Sequence, residues 1–259
     1  MDATPALPTL AQTARRDAWW AAPVATAGAL TAFGAYAVFA AVEGKDYLYT
    51  RGGARYLSPF YSPDLHAMFG LHLPFSFAFL VLWAPLGLRL TCYYYRKAYY
   101  RSFFWSPPAC AVAGPPRRRY RGETAFPYVL QNAHRYFLYL ATIVLGFLWY
   151  DAGRSFLFAR ADGSLEPGIG VGSLVLLVNV VTLTAFTFGC NSARHLVGGR
   201  LDCFSCSRAA RAGHRLWRGV TVLNLRHREW AWISLAAVGL ADLYVRLASS
   251  GVFHDPRLF

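Results

Sequence analysis

Residues 169–190, IGVGSLVLLVNVVTLTAFTFGC, form an apolar stretch without a single charged side chain. About 20 such residues in an α-helix cross the hydrocarbon core of a bilayer, so the stretch predicts a transmembrane helix. The composition of the whole chain points the same way. Of its 259 residues, 56% are hydrophobic and only 15% are charged, where a soluble domain carries about 25% charged residues. A water-soluble globule is therefore excluded.

Four further apolar stretches have the length of a membrane span. The last is interrupted by Asp242 and Arg246, and the second contains His72, Pro74 and Pro85. The sequence therefore predicts an all-α polytopic membrane protein, one transmembrane domain over residues 1–259 with five transmembrane helices in a bundle. The predicted spans cover residues 19–42, 67–88, 128–150, 169–190 and 230–247.

Basic residues are distributed unevenly between the predicted loops. The formal charge is +13, from 26 Lys and Arg against 13 Asp and Glu. Short loops rich in Lys and Arg stay on the cytoplasmic side, so the N-terminus is predicted to be cytoplasmic. This asymmetry accounts for most of the charge without nucleic acid as a partner. The basic loop before the third span could lie on anionic membrane lipid, and it could equally dock a soluble partner. The basic residues predicted to be cytoplasmic are Arg15, Arg16, Arg89, Arg96, Lys97, Arg101, Arg117, Arg118, Arg119, Arg121, Arg194, Arg200, Arg208, Arg211, Arg215, Arg218, Arg226 and Arg228.

A cluster of cysteines and histidines follows the fourth span. Residues 189–215, GCNSARHLVGGRLDCFSCSRAARAGHR, contain Cys190, His195, Cys203, Cys206 and His214. A structural disulfide is disfavoured in a reducing cytoplasm, so the Cys-x-x-Cys pair indicates metal ligation or redox chemistry. Residues 190–214 are therefore predicted to be a cytoplasmic metal-binding segment.

Two metal centres fit these ligands equally well by spacing. A structural zinc would take four of them in a closed tetrahedron. A Rieske-type [2Fe–2S] cluster would take two cysteines and two histidines, although the usual Rieske spacing is not reproduced here. Thiols without any metal are the third alternative. Gly198 and Gly199 would allow a sharp turn that brings His195 towards the two cysteines.

The segment from Ser192 to Leu196, with Asp202 downstream, resembles an Arg-His-Leu…Asp element in the membrane anchors of succinate dehydrogenases and fumarate reductases, respiratory complex II. In haem-carrying members an axial histidine stands about seven residues upstream, where this chain has Phe188. The missing ligand argues against haem b. With five spans and the Cys-x-x-Cys pair, the chain resembles the single membrane subunit of haem-less, type-F succinate dehydrogenases of actinobacteria.

This resemblance implies a function and a set of partners. The chain would anchor a flavoprotein and an iron–sulfur subunit on the bacterial plasma membrane, and it would pass electrons from succinate to quinone through a Rieske-type [2Fe–2S] cluster. His195, Cys203, Cys206 and His214 would hold the cluster, with Cys190 as the alternative to either cysteine. The chain would be part of an enzyme without substrate chemistry of its own.

A quinone pocket should combine apolar walls with a few hydrogen-bond donors close to a cofactor. The candidate donors lie at the start of the third span. The aromatic candidates also suit the simpler role of anchoring span ends in the headgroup region. The predicted pocket residues are Gln131, His134, Arg135 and Tyr136, with Trp83 and Tyr93 as walls.

Two other functions remain open at this point. One is a quinone-linked cytochrome that holds haem b with His72, His134, His195 or His227, although His72 and His134 are predicted at opposite depths. The other is a zinc-stabilised transporter or scaffold without electron transfer. Asp242 and Arg246 are predicted to form an ion pair one helical turn apart, with a structural rather than a catalytic role.

Overall fold

The computed structural model describes residues 9–70, 73–115, 122, 124–126, 128–199 and 202–259. Several residues named above lie outside these ranges. His72, a candidate haem ligand, is one of them. The others are basic residues of the predicted cytoplasmic loops: Arg117, Arg118, Arg119, Arg121 and Arg200.

The described residues are mostly helical, as the sequence predicts. A 3₁₀ turn, Tyr128–Ala133, leads directly into the fifth α-helix. In chain order the α-helices are α1 (Ala21–Glu43), α2 (Leu65–Phe69), α3 (Ala78–Thr91), α4 (Tyr93–Ser102), α5 (His134–Arg154), α6 (Val171–Phe188), α7 (Asn191–Gly198), α8 (Arg208–Leu225) and α9 (His227–Ser249).

Four helices in the described part of the chain are long and apolar enough to cross a membrane. They match the first, third, fourth and fifth predicted spans, and their ends differ from the prediction by a few residues. Many of their large apolar side chains are exposed, among them Val38, Ile143 and Val178. Such surfaces are unfavourable in water and are expected of helices that face lipid. The four helices are Ala21–Glu43, Tyr128–Arg154, Val171–Phe188 and His227–Ser249.

The second predicted span, 67–88, is wrong in its bounds. Helix α2 is capped by Asp64, whose carboxylate accepts a hydrogen bond from Ala67 N at 3.0 Å, and it ends at Gly70 in the left-handed conformation. Pro74 then lies where a continuing helix would need a backbone donor. The helix resumes only at Ala78, and its 14 residues reach about 21 Å, shorter than the hydrocarbon core of about 30 Å.

Two small hairpins connect the long helices, and neither was predicted. The first pairs β1 (Leu48–Tyr49) with β2 (Tyr56–Leu57), and the second pairs β3 (Leu157–Ala159) with β4 (Leu165–Pro167). Both pairs are antiparallel. Strands of two or three residues contain too few positions to show an alternating pattern, so sequence periodicity does not reveal them.

The described chain divides into two compact units. The first contains residues up to Tyr36 and residues 89–133. In it the N-terminal segment pairs with the segment after α4: Ala11 N donates to Ala113 O at 2.8 Å, and the Thr13 hydroxyl donates to Ala111 O at 2.7 Å. Trp19 packs edge-on against Trp105. These bonds order a segment that has no helix of its own before α1.

The second unit contains residues 37–88 and 134–259. Helix α6 packs along α9 and also against α5, and the first hairpin covers one end of the three helices. Small residues at the contacts, such as Ala152, Ala241 and Ala248, are fully or almost fully buried. They allow the helix backbones to approach closely, which is how helices associate within lipid.

The C-terminal residues fold back onto the start of α6. The Asp255 carboxylate accepts hydrogen bonds from Gly172 N at 2.7 Å, from the Tyr56 hydroxyl at 2.7 Å and from the Tyr244 hydroxyl. A carboxylate is favourable at this position because helix N-termini present free N–H groups and a positive dipole end. Burial, together with the bond to Asp255, raises the pKa of Tyr56, so its hydroxyl remains a donor.

Gly172 is expected to tolerate no side chain. A Cβ atom at this position would lie 2.4 Å from Cε2 of Tyr56, which is fully buried. We expect Gly172→Ala to lower the free energy of unfolding by about 1–3 kcal/mol through overpacking, measured by thermal unfolding. Gly153→Ala is the matched control, because a Cβ there meets no atom within 4 Å. Equal stability of the two variants would contradict this account.

Candidate functional site

The cysteine and histidine segment is mostly helical rather than a loop. Helix α6 ends at Phe188, α7 follows after two residues, and α8 begins at Arg208. Helices α7 and α8 pack closely where Trp217 lies against Gly198: a Cβ on that glycine would be 2.5 Å from the indole. Arg194 lies over the same indole, 4.6 Å from the ring centroid, and donates to the Thr221 hydroxyl at 3.1 Å. These contacts hold α7 and α8 together.

Cys190 caps helix α7. Its Sγ accepts a hydrogen bond from Ala193 N at 3.3 Å, and the residue is 3% exposed. The turn before it is tight, since a Cβ at Gly189 would lie 2.6 Å from Ala185 O. Asn224 of α8 donates to Gly189 O at 2.8 Å and fixes the same turn. Cys190 therefore has a structural function, which sequence spacing did not indicate.

Cys203 and Cys206 lie next to each other and are joined as a disulfide, with a Cα–Cα distance of 5.8 Å. The sequence predicts unpaired thiolates at these two positions, as expected in a reducing compartment. The Cys-x-x-Cys spacing suits both a disulfide and ligation of one metal ion, because both arrangements require the two sulfur atoms to lie near each other. The pair lies in the turn before α8, where the Ser207 hydroxyl accepts a hydrogen bond from Ala210 N at 3.0 Å.

His214 of α8 lies beside this turn. Its ring packs against Phe204, between the two cysteines in sequence, with a centroid distance of 4.5 Å, and against Trp217 at 5.8 Å. The Nδ1 atom is buried and has no hydrogen-bond partner within the described ranges. A buried, unpaired ring nitrogen is costly unless something else binds it. His214 therefore has a ring nitrogen available as a ligand, on a ring that contacts the residue between the two cysteines.

His195 of α7 has a different environment. Its Nδ1 lies 2.8 Å from Nη2 of Arg135 in α5. Because a guanidinium only donates, Nδ1 is the acceptor, and the proton of the neutral ring is on Nε2. Ligation of a metal through Nδ1 requires Arg135 to move away. Gly199 permits the close approach of this ring, since a Cβ there would lie 2.5 Å from His195 Cδ2.

The five predicted metal ligands are not gathered into one group. Among the described residues, no three His, Cys, Asp or Glu side chains are arranged so that they could hold a metal ion. The structure brings Cys203 and Cys206 together and places His214 beside the turn that carries them. Cys190 and His195 instead have the separate partners described above. The ligand set thus stays a prediction.

The predicted quinone residues are distributed over both compact units. Tyr93 and Gln131 belong to the first unit, where Arg96 lies over the Tyr93 ring at 5.1 Å. The other four belong to the second unit. There Trp83 packs edge-on against Phe137, Arg135 contacts His195, and Tyr136 is 70% exposed. The quinone pocket, with His134 as a further member, stays a prediction.

The predicted ion pair between Asp242 and Arg246 is confirmed. Nε of Arg246 donates to Oδ2 of Asp242 at 2.8 Å, and both side chains are buried. Ser58 donates to the same carboxylate. Arg246 also donates to Glu43 Oε2 at 3.0 Å and to Ala40 O at 2.6 Å at the end of α1. Ser58, Glu43 and Ala40 are far from α9 in sequence, so spacing could reveal only the pair between Asp242 and Arg246 within that helix.

Known proteins resemble this chain over nearly its full length. The family described as "Actinobacterial succinate dehydrogenase subunit SdhC" matches residues 21–251. A chain in the solved structure of the "Mycobacterium smegmatis Sdh1 complex in the apo form" is 40% identical, with a TM-score of 0.84, over 99% of this chain and 98% of that chain. No curated protein sequence matches.

Proposed function

Because the chain belongs to the family of the actinobacterial succinate dehydrogenase subunit SdhC, we propose that it passes electrons from succinate oxidation to quinone through a Rieske-type [2Fe–2S] cluster. The chain is an integral membrane protein and part of an enzyme complex. The resemblance inferred from Ser192 to Leu196 is thus confirmed at the level of the family. The proposal extends it to a cofactor, to a bacterial plasma membrane location with a cytoplasmic N-terminus, and to the individual partners.

One observation supports the proposed cofactor: Cys203 and Cys206 are paired on either side of Phe204, whose ring packs against His214, and Nδ1 of His214 is buried without a hydrogen-bond partner in the described part of the chain. These are the donor types that a Rieske centre uses, and the set fits the cluster in part. When bound, a cluster with mixed sulfur and nitrogen ligands exchanges one electron at a potential above that of an all-cysteine cluster. Cys203 and Cys206 would hold the cluster in their reduced thiolate form, which the thiol reductants of a reducing cytoplasm maintain, with His214 and His195 as the nitrogen ligands and Cys190 as the alternative thiol.

The residues around the histidines would control charge and orientation. Arg135 sets the acceptor nitrogen of His195 and places a fixed positive charge beside it. Exposed arginines of α8, such as Arg211 and Arg215, would favour a site with thiolates and net negative charge. Trp217 and Phe204 cover the His214 ring and limit access of water to it.

Quinone would bind near the start of α5 in this proposal. Arg135 would donate hydrogen bonds to a quinone carbonyl, and His134 or Tyr136 would supply protons as the oxygens gain electrons. Trp83, which packs edge-on against Phe137, would form an aromatic wall. Succinate itself would react in the flavoprotein, with an iron–sulfur subunit between the flavin and this chain.

The cofactor can be identified in the purified, intact complex. We expect the reduced complex to give an electron paramagnetic resonance signal at the low average g typical of mixed nitrogen and sulfur ligation. Metal analysis distinguishes the alternatives: zinc bound to this chain in place of iron would reject the cluster. A Soret band would instead select the haem b cytochrome.

A further inference from the structure

A second candidate site lies at the far end of α5 from His134. A cleft of about 680 Å³ opens between this part of α5 and the segment that runs from β2 into α2. Its lining combines charged and apolar side chains. The charged ones are Arg55, Asp64, Asp151 and Arg154, and the apolar ones include Phe147 and Ile143. The predicted quinone and metal residues take no part in it.

The charges in the cleft are not evenly paired. Arg55 lies 3.7 Å from Asp64 and 3.9 Å from Asp151, and Asp151 also accepts a hydrogen bond from the Ser62 hydroxyl at 2.6 Å. Arg154 donates to the backbone oxygen of Leu157 at 3.4 Å, and no carboxylate within the described ranges pairs with it. The guanidinium of Arg154 thus keeps N–H donors with which it could bind an anion.

The cleft is located where a membrane helix leaves the hydrocarbon core. Trp149 and Tyr150, next to the charged residues in sequence, are 42% and 66% exposed, as expected for aromatic side chains at the headgroup level. Ile143, two turns earlier in α5, is 60% exposed, as expected for an apolar side chain that faces lipid. Between them, Gly146 leaves the cleft open, because no atom lies within 4 Å of its would-be Cβ.

We propose that this cleft binds a phospholipid. The phosphodiester accepts hydrogen bonds from Arg154, and an acyl chain lies in the groove past Gly146 and Phe147 towards Ile143. A quinone ring carries no charge and does not need an unpaired guanidinium at headgroup depth, whereas a phosphodiester does. The proposal depends on the chain spanning a membrane and not on the route of electrons.

Filling the groove tests the proposal directly. The complex is purified, stripped of lipid with detergent and incubated with micelles that contain phosphatidylglycerol, and retained lipid is counted by native mass spectrometry. We expect wild type to keep a bound phospholipid and Gly146→Trp to lose it. Gly153→Trp is the matched control on the same helix, since its Cβ is equally unobstructed and it does not line the cleft.

A second variant tests the role of the charge. Arg154→Gln should weaken retention of phosphatidylglycerol about tenfold, the value of one hydrogen bond to a charged group, and should leave retention of diacylglycerol unchanged. Because this substitution leaves the groove intact, it decides the question even if Gly146→Trp does not assemble. Unchanged phospholipid retention in both variants, or bound quinone in place of lipid, would overturn the proposal.

Discussion

Replacing His195 and His214 together by alanine is expected to abolish quinone reduction by succinate in the assembled complex. The loss should exceed about a hundredfold, since even groups that only orient metal ligands contribute 10–100-fold. Succinate oxidation with a water-soluble electron acceptor should change little, because that chemistry is proposed for other subunits. The two assays with the same preparation separate a break in electron transfer from a failure to assemble.

The control for this experiment is His254→Ala, which removes an exposed histidine of the same chain. It should retain both activities. The paramagnetic signal of low average g should disappear in the double variant and persist in the control. A double variant that keeps this signal would show that the ligand assignment is wrong, even if activity declines.

Replacing Arg246 by leucine is expected to cause the largest loss of stability. The substitution leaves the carboxylate of Asp242, which is fully buried, without its cation, and breaking a buried pair in this way costs about 3–5 kcal/mol. The bonds to Glu43 and to the end of α1 are lost as well. Thermal unfolding of the complex in detergent measures the effect.

Arg228→Leu is the matched control for this loss. Arg228 pairs with Glu229 at 3.0 Å, but both side chains are largely exposed, and such pairs contribute about 0–1 kcal/mol. Replacing Asp242 and Arg246 together by leucine should recover part of the loss, because no buried charge then remains unpaired. If Arg246→Leu cost no more than Arg228→Leu, the buried cluster would not stabilise the helices.

The long helices could be predicted from the sequence because each depends on local composition. An apolar run of sufficient length has few alternatives to a membrane helix, and the internal pair of α9 follows from four-residue spacing. The prediction of the second span was wrong for an equally local reason. It counted apolar residues continuously across Gly70 and Pro74, although Gly70 ends helix α2 and Pro74 lacks the backbone donor that a continuing helix needs. The prediction also places the arginines from Arg208 to Arg218 in a loop, although their spacing of three and four residues is that of one helix face, and they lie in α8.

The candidate site was only partly predictable for a different reason. Neighbours in sequence, such as Cys203 and Cys206, could be grouped from spacing, but contacts between distant segments could not. The hydrogen bond from Arg135 to His195 spans 60 positions, and the one from Ser58 to Asp242 spans 184. The helix-capping bond of Cys190 likewise could not be read from its spacing to the other cysteines and histidines, and its predicted role as a ligand stays a prediction.

The contact between Arg246 and the end of α1 has a consequence for biosynthesis. Ala40 O and Arg246 are 206 positions apart, so during synthesis α1 receives this donor only after α9 has been made. Before that, the donor available to Ala40 O is the Tyr61 hydroxyl, which lies 3.0 Å away and only 21 positions downstream. Synthesis of α9 thus completes the set of donors at the end of α1, and a translation product that stops before Trp230 would lack the bonds from Arg246.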